Sequence, residues 1–419
     1  MAHVFIWAIT AATILLILTR PKQIPEAVWA GSAALLLVVC RLISPGDALA
    51  AVGRGTDVYL FLTGMMVLAE LARYEGFFDW LAVIAVKIAK GSPSRLFAMV
   101  YAVGTIVTIF LSNDATAVVL TPAVLAALKK ARAKPLPYLF ICAFIANAAS
   151  FVLPISNPAN LVVYGSTMPP LGTWFKSFGP PSLVSITVTF AVLRFAIRKD
   201  LKNKIETRVD QVKLSPAGKR AAFGIAGAGI ALILASAFNI DLGLPTFLGA
   251  IAATGFVTLE DHQAPRAIIK DISWSILPLV AGLFVLVEAT NQAGALAWSQ
   301  RALQQAANAG PAFGSLSAAF GVALLSNIAN NLPVGLVAAS AVHSGAVSNL
   351  ITNAVLIGVD LGPNLSITGS LATILWLVAL RRDAEDISFW QFLKMGLLVM
   401  PPALALSVVA SWAGSLLAI

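Results

Sequence analysis

The chain has 419 residues, 59% hydrophobic and 11% charged, with a mean hydropathy of +0.88, which excludes a soluble globule and defines a polytopic membrane protein. A net charge of +9 would suit nucleic acid in a soluble domain, but here the basic residues stand in short loops between apolar runs, where they set orientation, so no nucleic-acid role is read from them. Cys40 and Cys142 are the only cysteines and both lie in apolar runs, which supports neither a disulfide framework nor a cysteine metal site.

Roughly 20 apolar residues cross a bilayer, and on that measure residues 2–19, 23–40 and 58–72 each cross once. No Lys or Arg precedes the first run, whereas Arg20 and Lys22 follow it, so it reads as a helix and not as a cleaved leader. In residues 76–92, Phe77, Phe78, Trp80, Leu81, Ile84 and Ile88 recur at helical spacing while Lys87 and Lys90 can snorkel, the pattern of a helix lying in the interface. Residues 96–111 and 115–128 are each short for a crossing and are separated only by Ser112-Asn113-Asp114. Arg95 precedes the pair, and Lys129, Lys130, Arg132 and Lys134 follow it, so both ends face the cytoplasm and the pair is a re-entrant hairpin, 96–128. Its polar tip is tolerated only if buried in protein or lining a cavity.

The run 136–168 is broken by Pro154-Ile-Ser156-Asn157-Pro158-Ala-Asn160, where two prolines remove backbone donors and predict an unwound helix. Residues 180–197 return to a charged cytoplasmic linker, 200–218, which separates a first half, 1–199, from a second, 219–419. The second half has crossings at 221–238, 243–259 and 273–290 and an amphipathic stretch at 291–309. A second hairpin, 311–343, follows around Ser326-Asn327-Ile328-Ala-Asn330-Asn331. A second broken run, 345–380, is interrupted by Asp360-Leu-Gly362-Pro363-Asn364-Leu-Ser366-Ile-Thr368-Gly369, and 391–418 crosses last. With both termini outside, this path leaves only Arg41, Arg54, Lys176 and Arg301 of the 28 Lys and Arg on the outer side. Turning either hairpin into a single crossing would scatter that bias.

The halves repeat. Gly64, Glu70, Gly76 and Trp80 are spaced as Gly282, Glu288, Gly294 and Trp298 are. Ser112-Asn113 is matched to Ser326-Asn327, and Pro158-Ala-Asn160 to Pro363-Asn364, with one gap. An odd number of crossings per half inverts the second copy. The expected fold is therefore all-α, with about ten transmembrane helices, two re-entrant hairpins and two broken helices in two inverted-topology repeats.

Paired interruptions in inverted halves point to a transporter's site near the bilayer midplane. The expected binding set is Ser112, Asn113, Asp114, Thr116, Ser156, Asn157, Asn160, Ser326, Asn327, Asn330, Asn331, Asn364 and Thr368, which offers hydroxyl, amide and carboxylate oxygens to a cation or a hydroxylated solute. Asp114 is the expected proton carrier, because burial can bring a carboxylate toward a physiological titration; a permanent cation ligand or a cap for the hairpin amides is its alternative. Glu70 and Glu288, at the ends of crossings, read as structural pairs, Asp57 and Asp360 stay open, and His343 carries little specificity. The three His, at 3, 262 and 343, are scattered. No nucleophile with its base, metal cluster or paired-Asp motif suggests an enzyme, and no cofactor is expected.

Leu111-Ser112-Asn113-Asp114-Ala-Thr116-Ala-Val-Val-Leu-Thr121-Pro122, with Ile155-Ser-Asn-Pro-Ala-Asn160 and Ser326-Asn-Ile-Ala-Asn-Asn331, resembles the ion transporter superfamily of secondary carriers, and within it the arsenite and antimonite efflux permeases. Sodium-coupled members often carry Thr in the third place, where this chain has Asp114 and Ile328. The resemblance implies export of the neutral trihydroxides of As(III) and Sb(III) across a bacterial inner membrane, driven by inward proton flow with alternating access. It also implies that a soluble ATPase is a partner of some members; 198–220 is where one would dock. A sodium-coupled anion symporter or a sodium/proton antiporter is the alternative within the same superfamily.

Overall fold

A computed structural model describes residues 1–201, 205–206, 213–258, 264–344 and 347–417 of the chain. Twenty α-helices and no strand occur among the described residues. Residues 202–204 and 207–212 of the linker, His262 and the join at 345–346 lie outside them.

The first half runs α1 (Ala2–Thr19), α2 (Glu26–Val39), α3 (Pro45–Arg54), α4 (Thr56–Tyr74) and α5 (Phe77–Ala89). Then come α6 (Pro93–Leu111) and α7 (Thr121–Lys130), the two arms of the first hairpin; α8 (Leu136–Ala148) and α9 (Pro158–Tyr164), the two parts of the first broken helix; and α10 (Leu171–Ala196). The second half repeats this order as α11 (Pro216–Ala237), α12 (Gly243–Thr258), α13 (Ala264–Asp271), α14 (Ile276–Gln292), α15 (Ala295–Asn308), α16 (Pro311–Ala329), α17 (Asn331–Ser344), α18 (Asn349–Leu361), α19 (Leu371–Arg382) and α20 (Phe389–Leu417). Among the described residues six helices are long and apolar enough to cross a membrane, or up to eight if each bent pair is one span. The bent pairs are α3 with α4, at 46°, and α13 with α14, at 42°. The segment between the crossings expected at 23–40 and 58–72 is thus largely helix: Ser44 accepts from the Asp47 amide and Pro45 occupies the first turn, two strong start signals. Helix α10 likewise begins before residue 180, with Pro180 and Pro181 inside it.

Helix pairing crosses between the halves: α4 packs on α12, α2 on α14 and α10 on α20. Lipid removes the hydrophobic drive for helix association, so close approach through small residues has to supply the contact. A Cβ at Gly64 would stand 2.6 Å from the Thr246 carbonyl, and one at its counterpart Gly282 would stand 2.7 Å from the Ala30 backbone. The repeated glycines mark two of the places where the halves touch backbone to backbone. Asp57 has a local task at the same seam, where its carboxylate accepts the Gly243 amide at the start of α12 at 2.7 Å.

Candidate functional site

Both hairpins turn at one residue held in a backbone region that side chains avoid. Helix α6 ends at Ser112 (φ 90, ψ 161) and α16 ends at Asn330 (φ 70, ψ 148). Both arms are 19 residues long and begin with proline, Pro93 and Pro311. That register corrects the sequence match: Ser112 answers Asn330, and Ser326-Asn327 lies inside α16, upstream of the tip. The expected three-residue break is also shorter, because Asn113 and Asp114 already open the next helix, which continues through a π turn over Ala115–Leu120. A π turn forfeits regular i to i−4 bonding and is frequent at functional positions. Asp114 is answered by Leu332.

The broken helices align as closely. α8 and α18 both have 13 residues, and Asn147 and Asp360 are their respective penultimate residues. The chain then leaves the helix, makes one 3-10 turn at Pro154–Ser156 in the first break or two at Gly362–Asn364 and Ile367–Gly369 in the second, and restarts with Asn157 or Ser370 as the side-chain cap of α9 or α19. Pro363 and Asn364 therefore sit in the break and do not pair with Pro158 and Asn160, as the sequence match had them. Asp360, expected as part of the interruption, is the last helical turn before it.

A cavity of about 600 Å³ runs to the first hairpin tip. Its floor is Ser112, Asp114, Ala115 and Pro158; one wall is Leu62, Met65 and Met66 of α4, and Arg382 and Asp383 stand at its rim with Arg73 and Asp271. The rim is the basic face of the molecule, where Lys129 donates to the Asp383 carbonyl at 3.0 Å. Glu70 pairs with Arg73, which also reaches Asp271 of α13 at 2.5 Å, and on the second copy Glu288 pairs with Arg54 of α3. Each repeated acid is bound into an ion pair that involves the neighbouring bent helix of the other half. At the second tip, by contrast, Asn330, Leu332, Pro333 and Leu371 border a space of only about 20 Å³, together with Ile17, Leu279 and Leu283. Two similar tips thus sit in opposite surroundings, one open and one closed.

The remaining expected residues bond within the protein or are simply buried. Asn157 donates to Asp360 Oδ1 at 2.8 Å, and Asn147 donates to Asn364 Oδ1 at 3.0 Å and to Thr373 at 3.4 Å, tying the two broken helices together in a fully buried cluster. Asn160 spans its own break by donating to the carbonyls of Ser150, Leu153 and Pro154. Asn327 donates to Gly362 O at 2.9 Å and accepts from Ser366, while Thr368 donates to the Asn327 carbonyl at 2.8 Å, so the second hairpin is laced to the second break. Ser156 donates to Ile109 O at 3.0 Å and does the same for the first. Thr116 bonds Thr108 at 2.8 Å within the first hairpin and does not line the cavity. Asn113, Asn331 and Ser326 are buried. The Asn113 Oδ1 and Ser326 Oγ atoms find no partner among the described residues. Of the expected set, only Ser112 and Asp114 line the large cavity and only Asn330 the small one.

Sequence reasoning passed over Asn147, Thr373 and the two methionines of the cavity wall. Asn147 had a visible signal, a lone amide 11 residues into an otherwise apolar helix. No cluster of three or more His, Cys, Asp or Glu that could hold a metal occurs among the described residues.

A multi-pass helical protein whose helices break at buried polar tips beside a cavity reaching one face belongs to the membrane transporters. The family described as Citrate transporter (CitMHS), within the ion transporter superfamily, matches residues 13–359, and the chain belongs to it. Over 421 residues the chain is 28% identical to the arsenical pump membrane protein of Escherichia coli K12, covering 96% of this chain and 97% of that one. The arsenical pump membrane protein of Yersinia enterocolitica is 26% identical, with the same coverage of both chains. An uncharacterised transporter of Mycobacterium tuberculosis is 25% identical over 427 residues, 97% of each chain. The crystal structure of the Alcanivorax borkumensis YdaH transporter shares the fold at a TM-score of 0.57 and 14% identity, over 88% of this chain and 87% of that one.

Proposed function

We propose that the protein exports arsenite and antimonite, as neutral trihydroxides, from the bacterial cytoplasm in exchange for protons, with Asp114 carrying the proton. The observation that carries the reading is Asp114 on the floor of a cavity that opens on the basic face, in a chain whose full-length relatives include arsenical pump membrane proteins. The positive-inside bias makes that face cytoplasmic. A trihydroxide is small, uncharged and rich in O–H donors, so it needs acceptors and no cationic clamp. Ser112 and the Asp114 carboxylate supply acceptors, and the Met65 and Met66 thioethers on the opposite wall are soft groups that suit As(III) and Sb(III).

In this reading the two halves are inverted repeats, the hairpins and broken helices move as one polar-laced body, and the outward state closes the 600 Å³ cavity while opening the 20 Å³ one. Proton binding at Asp114 and solute binding compete for the same floor, which is what exchange requires. Inverted vesicles with an imposed pH gradient test this: wild type should take up arsenite and Asp114→Asn should not. Wild-type rates in Asp114→Asn would refute it.

One observation favours the second reading, sodium-coupled anion symport. Arg382 and Arg73 stand at the cavity rim, where the sequence reading placed no cation, and the family description names citrate. Uptake of a carboxylate driven by sodium, with arsenite inert, would select it.

A further inference from the structure

Asp360 is fully buried at the crossing of the two broken helices, and the structure leaves its charge unanswered. Oδ1 accepts from Asn157 at 2.8 Å. Oδ2 is enclosed and accepts no hydrogen bond among the described residues. The Ser150 hydroxyl lies close by, but its one proton goes to the Asn147 carbonyl at 2.8 Å.

The elements packed on α18 offer no counter-charge. α16 and α9 carry no charged residue, and α8 has only Tyr138 and Cys142 as titratable groups. Tyr164 of α9 donates to Asn353 at 3.1 Å. On α17, His343 meets Thr167 at 2.9 Å, and Lys394, the one charged residue of α20, is exposed. An ionised carboxylate so placed is costly, and the group becomes neutral by taking up a cation.

Position adds a second argument. By register the counterpart of Asp360 is Asn147, a permanently neutral group that fills the same place in the first half; its amide nitrogen donates to Asn364 and Thr373, and its Oδ1 has no partner among the described residues but carries no charge. Asn157, which holds Asp360, is followed directly by Pro158 of the cavity floor. Asp360 therefore sits one side chain behind the floor, occluded while the cavity is open.

We propose that Asp360 is a second proton seat, separate from Asp114, whose Oδ2 binds and releases a proton during the transport cycle, with Asn157 as its positioning residue. Each half then contributes one acid, Asp114 from the first hairpin and Asp360 from the second broken helix. A proton bound as O–H on Oδ2 makes the cluster neutral in the arrangement seen here; inversion of the hairpins exposes it to water on the far side. This rests on the proton-exchange reading above.

Two measurements on the full chain in proteoliposomes test it. The first needs no substrate: infrared spectra at neutral pH should show a protonated-carboxyl C=O band in wild type and Asp114→Asn that is missing from Asp360→Asn. The second reads coupling. Each coupled proton multiplies steady-state accumulation by about ten per pH unit of gradient, so Asp360→Asn should lower arsenite accumulation about tenfold across a one-unit gradient while arsenite exchange persists. Asp360→Glu, which keeps the acid, should restore the band. An infrared band unchanged in Asp360→Asn overturns the proposal, as does unchanged accumulation, or a band that appears only when sodium is withdrawn, which would make the seat a sodium site. If wild type shows the band but moves no arsenite, Asp360 stands as a proton seat and the cargo assignment fails instead.

Discussion

Replacing Asn364 with alanine separates two roles for the buried amides. The sequence reading made Asn364 a solute ligand, whereas the structure encloses it completely and occupies both of its polar atoms. It accepts from Asn147 at 3.0 Å and donates to Phe144 O at 3.0 Å. Interhelical hydrogen bonds in membranes contribute about 0.6 kcal/mol each and at most about 1.7. Two of them, with a modest term for the space left by the side chain, sum to about 2 kcal/mol, or roughly thirtyfold in the opening equilibrium. Asn147 keeps only its 3.4 Å contact to Thr373, which limits the recovery. Cys142 reports the opening, since it is buried on α8 while Cys40 is exposed. In a Cys40→Ser background, maleimide labelling of Cys142 should be roughly thirtyfold faster in Asn364→Ala when labelling is limited by opening, and the KM for arsenite should stay near wild type. Unchanged labelling together with a raised KM would show that the amide binds solute and that the structural reasoning is wrong.

Filling the cavity should stop transport without harming the fold: Val118→Trp, at a partly exposed position lining it, is expected to abolish arsenite uptake while leaving Cys142 protected from maleimide. Gly64→Ala and Gly282→Ala each force a Cβ into backbone of the other half, so each should cost about 1–3 kcal/mol, read as lower thermal stability in detergent. Ser112→Gly relieves a φ of 90, a region of the backbone that costs side chains about 1–3 kcal/mol; thermal stability should rise by about 1 kcal/mol or more, and no change would show that the strain is absorbed elsewhere. Glu70→Gln removes one partner of Arg73, but Asp271 remains at 2.5 Å. A half-exposed pair of this kind is worth about 1 kcal/mol at most, so transport should stay within about twofold of wild type and lose part of its salt dependence.

The helices, both hairpins and both broken helices were legible because each is written in strong local chemistry: apolar runs, prolines flanking Ser and Asn, and basic residues bracketing the hairpins. Gly64 and Gly282 could be matched, but their cause could not, since a backbone contact with a distant helix leaves no trace in the spacing. Pairing of the tips failed for a related reason. Ser-Asn recurs in both halves, yet one turn of α16 separates Ser326 from the residue that reverses the chain, and only the torsion at Asn330 shows which residue plays the part of Ser112. Asp360 could be noticed as an acid near a break, but its isolation depends on what α8, α9, α16, α17 and α20 do not carry, and that is a property of packing. The Arg73 and Arg382 rim was missed because residues more than 300 positions apart in sequence meet there.

The cavity walls belong to two different sets of helices. Leu62, Met65 and Met66 come from α4, whereas Asp114 and Leu375 come from the hairpin and the broken helix facing it. In the exchange cycle proposed above, a molecule wide enough to press on both walls at once binds the open arrangement and has no room in the closed one, so it shifts the population toward the state it fits. Such a wedge would arrest the carrier from the basic face alone. From the opposite side it would find about 20 Å³ bordered by Leu332 and Pro333, too little space to enter, so an inhibitor's sidedness in right-side-out and inverted vesicles would be a direct readout of which way the molecule faces.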